Sequence, residues 1–343
     1  MKTLTLWTRY GDLGASSRLR FGRYVPFLEA AGWHVERRNF FPDAYLRRLY
    51  AGKGKSPGAL LSGWRRRMGE MRAEAPETPA LVEYELLPYL PFACEKRFLA
   101  SRAYFLNFDD AVDLRYARFP ILRRKYRKLI AGAAGVIVAN AELEARFAPL
   151  NPHLLALPTV PPVLPENFAS GTEERFTLIW IGTPVTFPFL RARRAALAQA
   201  ARETDFRLLI VGGTEALPGV ECELIPWSEE AELAALRRAH VGIMPLPDTP
   251  FARGKSAYKL IRYLQCGLPA IASPVGENRR VLRPGETGFF AAADAEWAEA
   301  VRRLAAPEVR AAMRTALKRE AAKYALADAA KKLTDFLAAR SRN

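Results

Sequence analysis

The stretch "ARGKSAYKLIRYLQCGLPAIASPVGENRRVLRPGETGFF", residues 252–290, reads as a helix, a tight turn at Gly267-Leu268-Pro269, a short buried strand at 269–274 and a run of glycine-bearing loops. A helix that feeds an apolar strand through so short a turn is half of a βα repeat. The same alternation extends outward on both sides. Ahead of it lie the apolar runs 176–182, 207–213, 222–227 and 241–246, with helical patterns between them, and behind it lies 288–292.

Further upstream, the proline-rich segment 157–174, "LPTVPPVLPENFASGTEE", breaks every periodicity and reads as a linker. Before it the alternation begins again, with strands expected at 3–7, 34–39, 103–108 and 135–140. Helices are expected from about Arg18 to Ala31 and, strongly basic, over about 58–75. Runs of apolar residues short enough for buried strands, separated by helices, specify parallel sheets covered on both faces. The expectation is an α/β chain of two Rossmann-like, doubly wound domains, residues 1–162 and 163–324. From about Ala295 the pattern is helical, and its last apolar face is Tyr324, Leu326, Leu333, Phe336 and Leu337.

Composition narrows the function classes. Half of the 343 residues are hydrophobic and 26% are charged, which is enough apolar material for two cores. Cys94, Cys222 and Cys266 form no Cys-x-x-Cys pair and do not cluster in sequence with His34, His153 or His240, so neither a disulfide framework nor a zinc site is expected. The opening apolar run, Leu4 to Trp7, is too short for a secretion signal, and no stretch approaches a membrane span. The expected location is cytoplasmic, free or on the inner face of a membrane.

The net charge of +16 is uneven, with +11 carried by residues 1–150. It is densest over 37–72, where basic clusters alternate with Phe40, Phe41, Tyr45, Tyr50 and Trp64. That pattern suits an anionic membrane, a nucleic acid or a plain solvated face.

Ligands in open α/β sheets bind beyond the carboxyl ends of the strands, where helix amino termini favour phosphate. Three loops qualify: 9–20, 182–189 and 247–258. None is a Walker loop or a Gly-x-Gly-x-x-Gly fingerprint, which disfavours P-loop ATPases and nicotinamide enzymes.

Residues 241–304 strongly resemble the donor-binding region of the family 4 glycosyltransferases of the GT-B fold. "GASSRLR" (14–20), "NFDDAVD" (107–113), "VANAELEARF" (138–147), "LPTV" (157–160) and "WIGTPVTFPFL" (180–190) look like landmarks of one bacterial subgroup. The resemblance implies two domains facing a cleft, a nucleoside-diphosphate sugar held mainly by the second and an acceptor held mainly by the first. It also implies a terminal helix, about 325–343, that crosses back to the first domain. The implied reaction is retaining and uses neither a metal nor a cofactor. Its products belong to cell-surface polysaccharide or glycolipid assembly, and no nucleic-acid partner is expected.

Carried onto this sequence, the resemblance assigns Gly14, Ala15, Ser16, Gly182, Thr183, Lys255, Ser256, Ala257, Tyr258 and Lys259 to the diphosphate and sugar, and Ile225, Pro226 and Trp227 to the base. Arg18 and Arg20 are assigned to the acceptor. Asp109 and Asp110, after a strand of the first domain, are the catalytic candidates, read as hydrogen-bond acceptors for the acceptor hydroxyl. The bland readings are core packing for Trp227, a solvated helix position for Lys259 and turn-capping carboxylates for Asp109 and Asp110.

The sequence departs from the family at its paired glutamates, which lie seven residues apart. The corresponding positions are Gly254 and Arg262. A guanidinium can only donate, so Arg262 cannot accept from ribose hydroxyls, although it could donate to ribose or phosphate oxygens. Asp248 is a candidate substitute for the first glutamate.

Overall fold

The computed structural model describes residues 2–341. The chain divides into two compact units. The first runs to Pro162 and takes in Gly254–Ser256 and the chain from Leu326; the second comprises Val163–Arg253 and Ala257–Ala325. The last two residues of the expected terminal helix lie outside the described residues.

The first unit is built on a six-stranded parallel sheet. Its strands are β1 (Lys2–Thr8), β2 (Trp33–Asn39), β3 (Ala80–Glu83), β4 (Tyr104–Phe108), β5 (Gly135–Val138) and β6 (Leu154–Ala156), in the order β2-β1-β3-β4-β5-β6. The interior strands β3, β4 and β5 are buried along their whole length, as expected for a sheet covered on both faces. Leu4, Leu6, Leu81, Phe105 and Ile137 pack on one face against Leu333, Phe336 and Leu337 of the helix Leu326–Arg340. The chain leaves β1 for β2 on one side and reaches β3 on the other, so the sheet reverses direction between β1 and β3. That is where an open α/β sheet forms its ligand crevice.

The second unit repeats the plan with β7 (Thr177–Ile181), β8 (Arg207–Val211), β9 (Cys222–Ile225), β10 (Val241–Met244), β11 (Ala270–Ala272) and β12 (Gly288–Phe290), ordered β12-β11-β10-β7-β8-β9. Here the reversal falls between β7 and β10. Ile179, Ile181, Leu209, Ile243, Tyr263 and Trp297 lie in its core.

Three sequence expectations change. Strands β3 and β6 were not foreseen. The helix expected over about Arg18 to Ala31 is broken into Ala15–Arg20, a 3-10 turn at Gly22–Tyr24 and Val25–Ala30. Pro26 cannot donate a backbone hydrogen bond to a continuing helix, and sits instead in the first turn of a new one. The region 37–72 presents fewer aromatics than expected, because Phe40 and Phe41 are buried and Phe41 stacks on Tyr45 at 4.1 Å, whereas Tyr45 and Tyr50 are half-buried. Trp64 is half-buried, its Nε1 donating to the Pro88 carbonyl at 2.8 Å.

Candidate active site

At the carboxyl edge of the first sheet, the loop after β1 is tied to the end of β3 by Glu83. Its Oε2 accepts from the Arg9 backbone N–H at 2.7 Å and from Ser17 Oγ at 2.6 Å, and Ser17 Oγ accepts in turn from the Tyr10 N–H at 3.1 Å. Glu83 is 1% exposed, and its other carboxylate oxygen has no hydrogen-bond partner among the described residues. Burial raises its pKa to about 6, against the lowering effect of the bonds from Ser17 and Arg9.

The next residue, Tyr84, holds a left-handed backbone conformation, φ 64°, which is uncommon for a side chain of this size. That turn sends its hydroxyl to Asp109, to which it donates, and to within 3.1 Å of Ser16 Oγ. Asp109 and Asp110 are both half-buried, so they are reachable from the crevice while remaining fixed. Asp110 faces Lys255, with Nζ 3.2 Å from Oδ2; its pKa is raised by burial, opposed by Lys255.

Glu85 is fully enclosed. It meets Lys125 Nζ at 2.8 Å, Arg9 at 3.6 Å and the Tyr116 hydroxyl, which donates to it at 2.8 Å. Lys125 also bridges to Glu95 at 2.6 Å and donates to the Leu87 carbonyl.

Gly254, within this first unit, accepts a hydrogen bond through its carbonyl from Asn140 Nδ2 at 2.7 Å. A Cβ there would stand 2.5 Å from that of Ala111. The glutamate that the family resemblance leads one to expect at this position has no room. Asp248, the proposed substitute, is exposed and paired with Arg253 at 2.6 Å, and that pairing lowers its pKa.

The second unit's carboxyl edge is made mainly of closely apposed backbone. Gly182 donates to the Val211 carbonyl at 3.0 Å and Gly212 to that of Ile225 at 2.9 Å, so the ends of β7, β8 and β9 are drawn together. Gly212 has φ 75°, and a Cβ on it would lie 2.3 Å from the Gly182 carbonyl oxygen, which excludes any larger residue. Thr183 N–H is held by Thr186 Oγ1 at 3.1 Å. The helix Tyr258–Gln265 begins from Ala257, a buried residue in the left-handed region with φ 52°. Lys259 Nζ lies 5.6 Å from the Trp180 ring centroid.

Trp227, half-buried beyond β9, donates its Nε1 to Glu232 Oε2 at 2.9 Å. The other Glu232 oxygen accepts from Arg262 Nε at 3.1 Å. Arg262 is 4% exposed, on the inner face of its helix. The reading of Arg262 as a donor contact is thereby corrected: a buried guanidinium needs a carboxylate partner, and Glu232 supplies it.

Arg20 needs a similar correction. It is 1% exposed and donates to Asn107 Oδ1 and the Leu157 carbonyl, so it braces the interior and is not presented to an acceptor. Arg18 stays half-buried at the rim, donating to the Asp12 carbonyl. Gly14, Ala15 and Ser16 begin the helix Ala15–Arg20 on the same loop that Glu83 holds, whereas Lys255 and Ser256 group with the first unit. Ile225 and Pro226 close β9 directly ahead of Trp227.

The residues not foreseen are Arg9, Ser17, Glu83, Tyr84, Glu85 and Lys125. Their one sequence signal was a pair of glutamates inside the apolar stretch 79–91, "PALVEYELLPYLP". Among the described residues no group of three His, Cys, Asp or Glu is placed to hold a metal ion.

Part of the second unit matches a known family. Residues 178–306 match the family described as glycosyl transferases group 1. Over 211 residues the chain is 28% identical to the UDP-N-acetylglucosamine--N-acetylmuramyl-(pentapeptide) pyrophosphoryl-undecaprenol N-acetylglucosamine transferase of Acidovorax sp. (strain JS42). That match covers 52% of this chain and 53% of the relative, so the chain spans about half the length of the curated relatives it matches.

In three dimensions it is similar to sucrose-phosphate synthase from Thermosynechococcus elongatus, with a TM-score of 0.71 at 15% identity and 99% of each chain covered. It is also similar to the lipopolysaccharide outer core galactosyltransferase WaaB, with a TM-score of 0.64 at 10% identity and again 99% of each chain covered. The two parallel six-stranded sheets are those of the GT-B fold, and within the second unit residues 178–306 match the group 1 glycosyl transferases.

Proposed function

We propose that this chain transfers a sugar from a nucleoside-diphosphate sugar to a glycan or lipid-linked acceptor in cell-surface polysaccharide or glycolipid assembly. The observation that carries the reading is the group 1 match over 178–306, which takes in the reversal point between β7 and β10. The relative named for UDP-N-acetylglucosamine and pyrophosphoryl-undecaprenol supports a uridine nucleotide and a lipid-linked acceptor.

In this reading the nucleotide lies at the carboxyl edge of the second sheet. Trp227 stacks on the base, while the amides that open the helix Tyr258–Gln265 face the diphosphate with Lys259, and Gly182 and Thr183, whose own N–H groups are bonded within the fold, let the backbone approach it closely. Departure of the diphosphate builds negative charge, which amide donors and a lysine stabilise without a metal. The acceptor hydroxyl is held by Asp109 and Asp110 at the edge of the first sheet, and Lys255 lowers the cost of keeping Asp110 ionised. Attack on the face that the diphosphate leaves gives retention. Ribose recognition falls to Glu232, the carboxylate that Arg262 holds in place.

A second reading is a GT-B protein that binds a sugar nucleotide without transferring it. Its support is the glycine at 254, where the crowding at Ala111 excludes a carboxylate. The two separate in one assay. Incubation with UDP-, GDP-, ADP- and dTDP-linked sugars should release the free diphosphate from one of them, by transfer or slow hydrolysis. Binding of a sugar nucleotide with no release under any condition would leave the second reading and remove the first.

A further inference from the structure

The helix Pro120–Gly132 shows two faces of opposite character. Inward, Lys125 reaches Glu85 and Glu95, and Tyr126 stacks on Tyr116 with ring centroids 5.5 Å apart. Outward, Arg123, Arg124, Arg127 and Lys128 are exposed, as is Arg118 just ahead of the helix. None of these five forms an ion pair with another described residue, and the chain has no acidic residue between Asp113 and Glu142.

Two large apolar side chains stand among them, Phe119 at 56% and Ile121 at 70% exposure. Ile121, Arg124 and Lys128 follow an i, i+3, i+7 stripe, so apolar and cationic groups share one face. Tyr89, 38% exposed, packs edge-on against Tyr116 beside this segment.

Within 37–72 four arginines are spent inside the fold, although Arg47, Lys53, Lys55, Arg65 and Arg72 are exposed. Arg67 is buried and donates to the Thr8 and Arg38 carbonyls, Arg66 serves Phe40 and Glu70, Arg37 pairs with Asp12, and Arg38 with Glu36 and Glu74.

We propose that residues 118–128 form a docking surface for an anionic lipid bilayer, with Phe119 and Ile121 entering the interface and the flanking cations meeting lipid phosphates. Uncompensated cations around a protruding apolar pair are the composition that an interfacial helix requires. The placement rests on, and deepens, the lipid-linked-acceptor reading. The same helix sends Lys125 to Glu85 at the sheet's carboxyl edge, so docking here brings that edge to the membrane where such an acceptor resides.

The test is co-sedimentation of the full chain with phosphatidylcholine vesicles, with and without phosphatidylglycerol, at low and high salt and without any sugar nucleotide. The wild type should bind the anionic vesicles and weaken with salt. Arg123→Gln, Arg124→Gln and Arg127→Gln together should reduce partitioning by ~100-fold, at about fivefold per lost charge. Phe119→Ser with Ile121→Ser should remove the binding that survives high salt, while Lys53→Glu with Lys55→Glu should bind nearly as the wild type does. Thermal unfolding confirms that each variant is folded.

The proposal is overturned by equal binding to neutral and anionic vesicles, by folded patch variants that bind like the wild type, or by loss confined to the Lys53/Lys55 variant. Retention on duplex DNA at physiological salt with indifference to vesicles also overturns it. Diphosphate release with no vesicle binding defeats the surface and spares the transferase. Vesicle binding with no release does the reverse.

Discussion

The carboxyl edges of the two sheets occupy equivalent places in equivalent folds, yet they are built from different materials. The first is crowded with buried ionisable side chains: Glu83, Glu85, Glu95, Lys125 and Arg9. The second is mostly main chain brought close by Gly182 and Gly212, with the Arg262–Glu232 pair set behind it. The difference follows the division of labour proposed for the enzyme. A diphosphate is best met by amide donors and an adjacent lysine, because these bear partial or full positive charge where the anion develops. A hydroxyl acceptor is best met by carboxylates, and carboxylates at a sheet edge need partners to be held there.

The contrast can be broken first where buried charge is densest. Lys125→Met should leave buried Glu95 without a cation and Glu85 with only Arg9, and cost roughly 3–5 kcal/mol, read from urea unfolding. Adding Glu95→Leu should recover part of that loss, which a purely steric defect at 125 would not allow.

In the second unit, Arg262→Met should strand Glu232 and cost about 2–4 kcal/mol, again by urea unfolding. The further change Glu232→Leu should restore most of the stability while lowering nucleotide affinity. Unaltered nucleotide binding in the double variant would confine the pair to a structural role.

Smaller still is the pH effect at Glu83. Its folded pKa of about 6 lies above the ordinary 4.5, so the folded state keeps a proton that the unfolded state has lost. The contribution to stability is therefore complete below about pH 4.5 and is lost as pH rises through about 6, amounting to about 2 kcal/mol. Glu83→Gln should remove this component, visible as a smaller fall in stability between pH 4.5 and 7 than in the wild type.

What the sequence revealed follows the same contrast. The second unit was legible strand by strand, because β7, β8, β10 and β11 are unbroken apolar runs, and a backbone-built edge announces itself through glycines and a proline turn. In the first unit β3 was missed. Its "ALVE" is four residues long and ends on a glutamate, and β6 is shorter still. A buried carboxylate makes sense only once Ser17 and the Arg9 amide have been brought to it from far away in sequence. Losing β3 meant losing Glu83, Tyr84 and Glu85 with it. Asp109 and Asp110 stood out as candidates because they follow a five-residue buried strand. Arg20 and Arg262 looked like ligand contacts for the opposite reason, since nothing local in sequence shows Asn107 or Glu232 waiting for them.

The central claim, that the second unit's edge holds a nucleoside diphosphate, is tested most directly by thermal unfolding of the wild type against uridine, guanosine, adenosine and thymidine diphosphates, with the parent nucleosides as controls. One diphosphate at ~100 times its Kd should add about 2.7 kcal/mol and raise Tm by several degrees, with little effect from its nucleoside. No shift from any diphosphate at millimolar concentration, or equal shifts from diphosphate and nucleoside, would contradict the account.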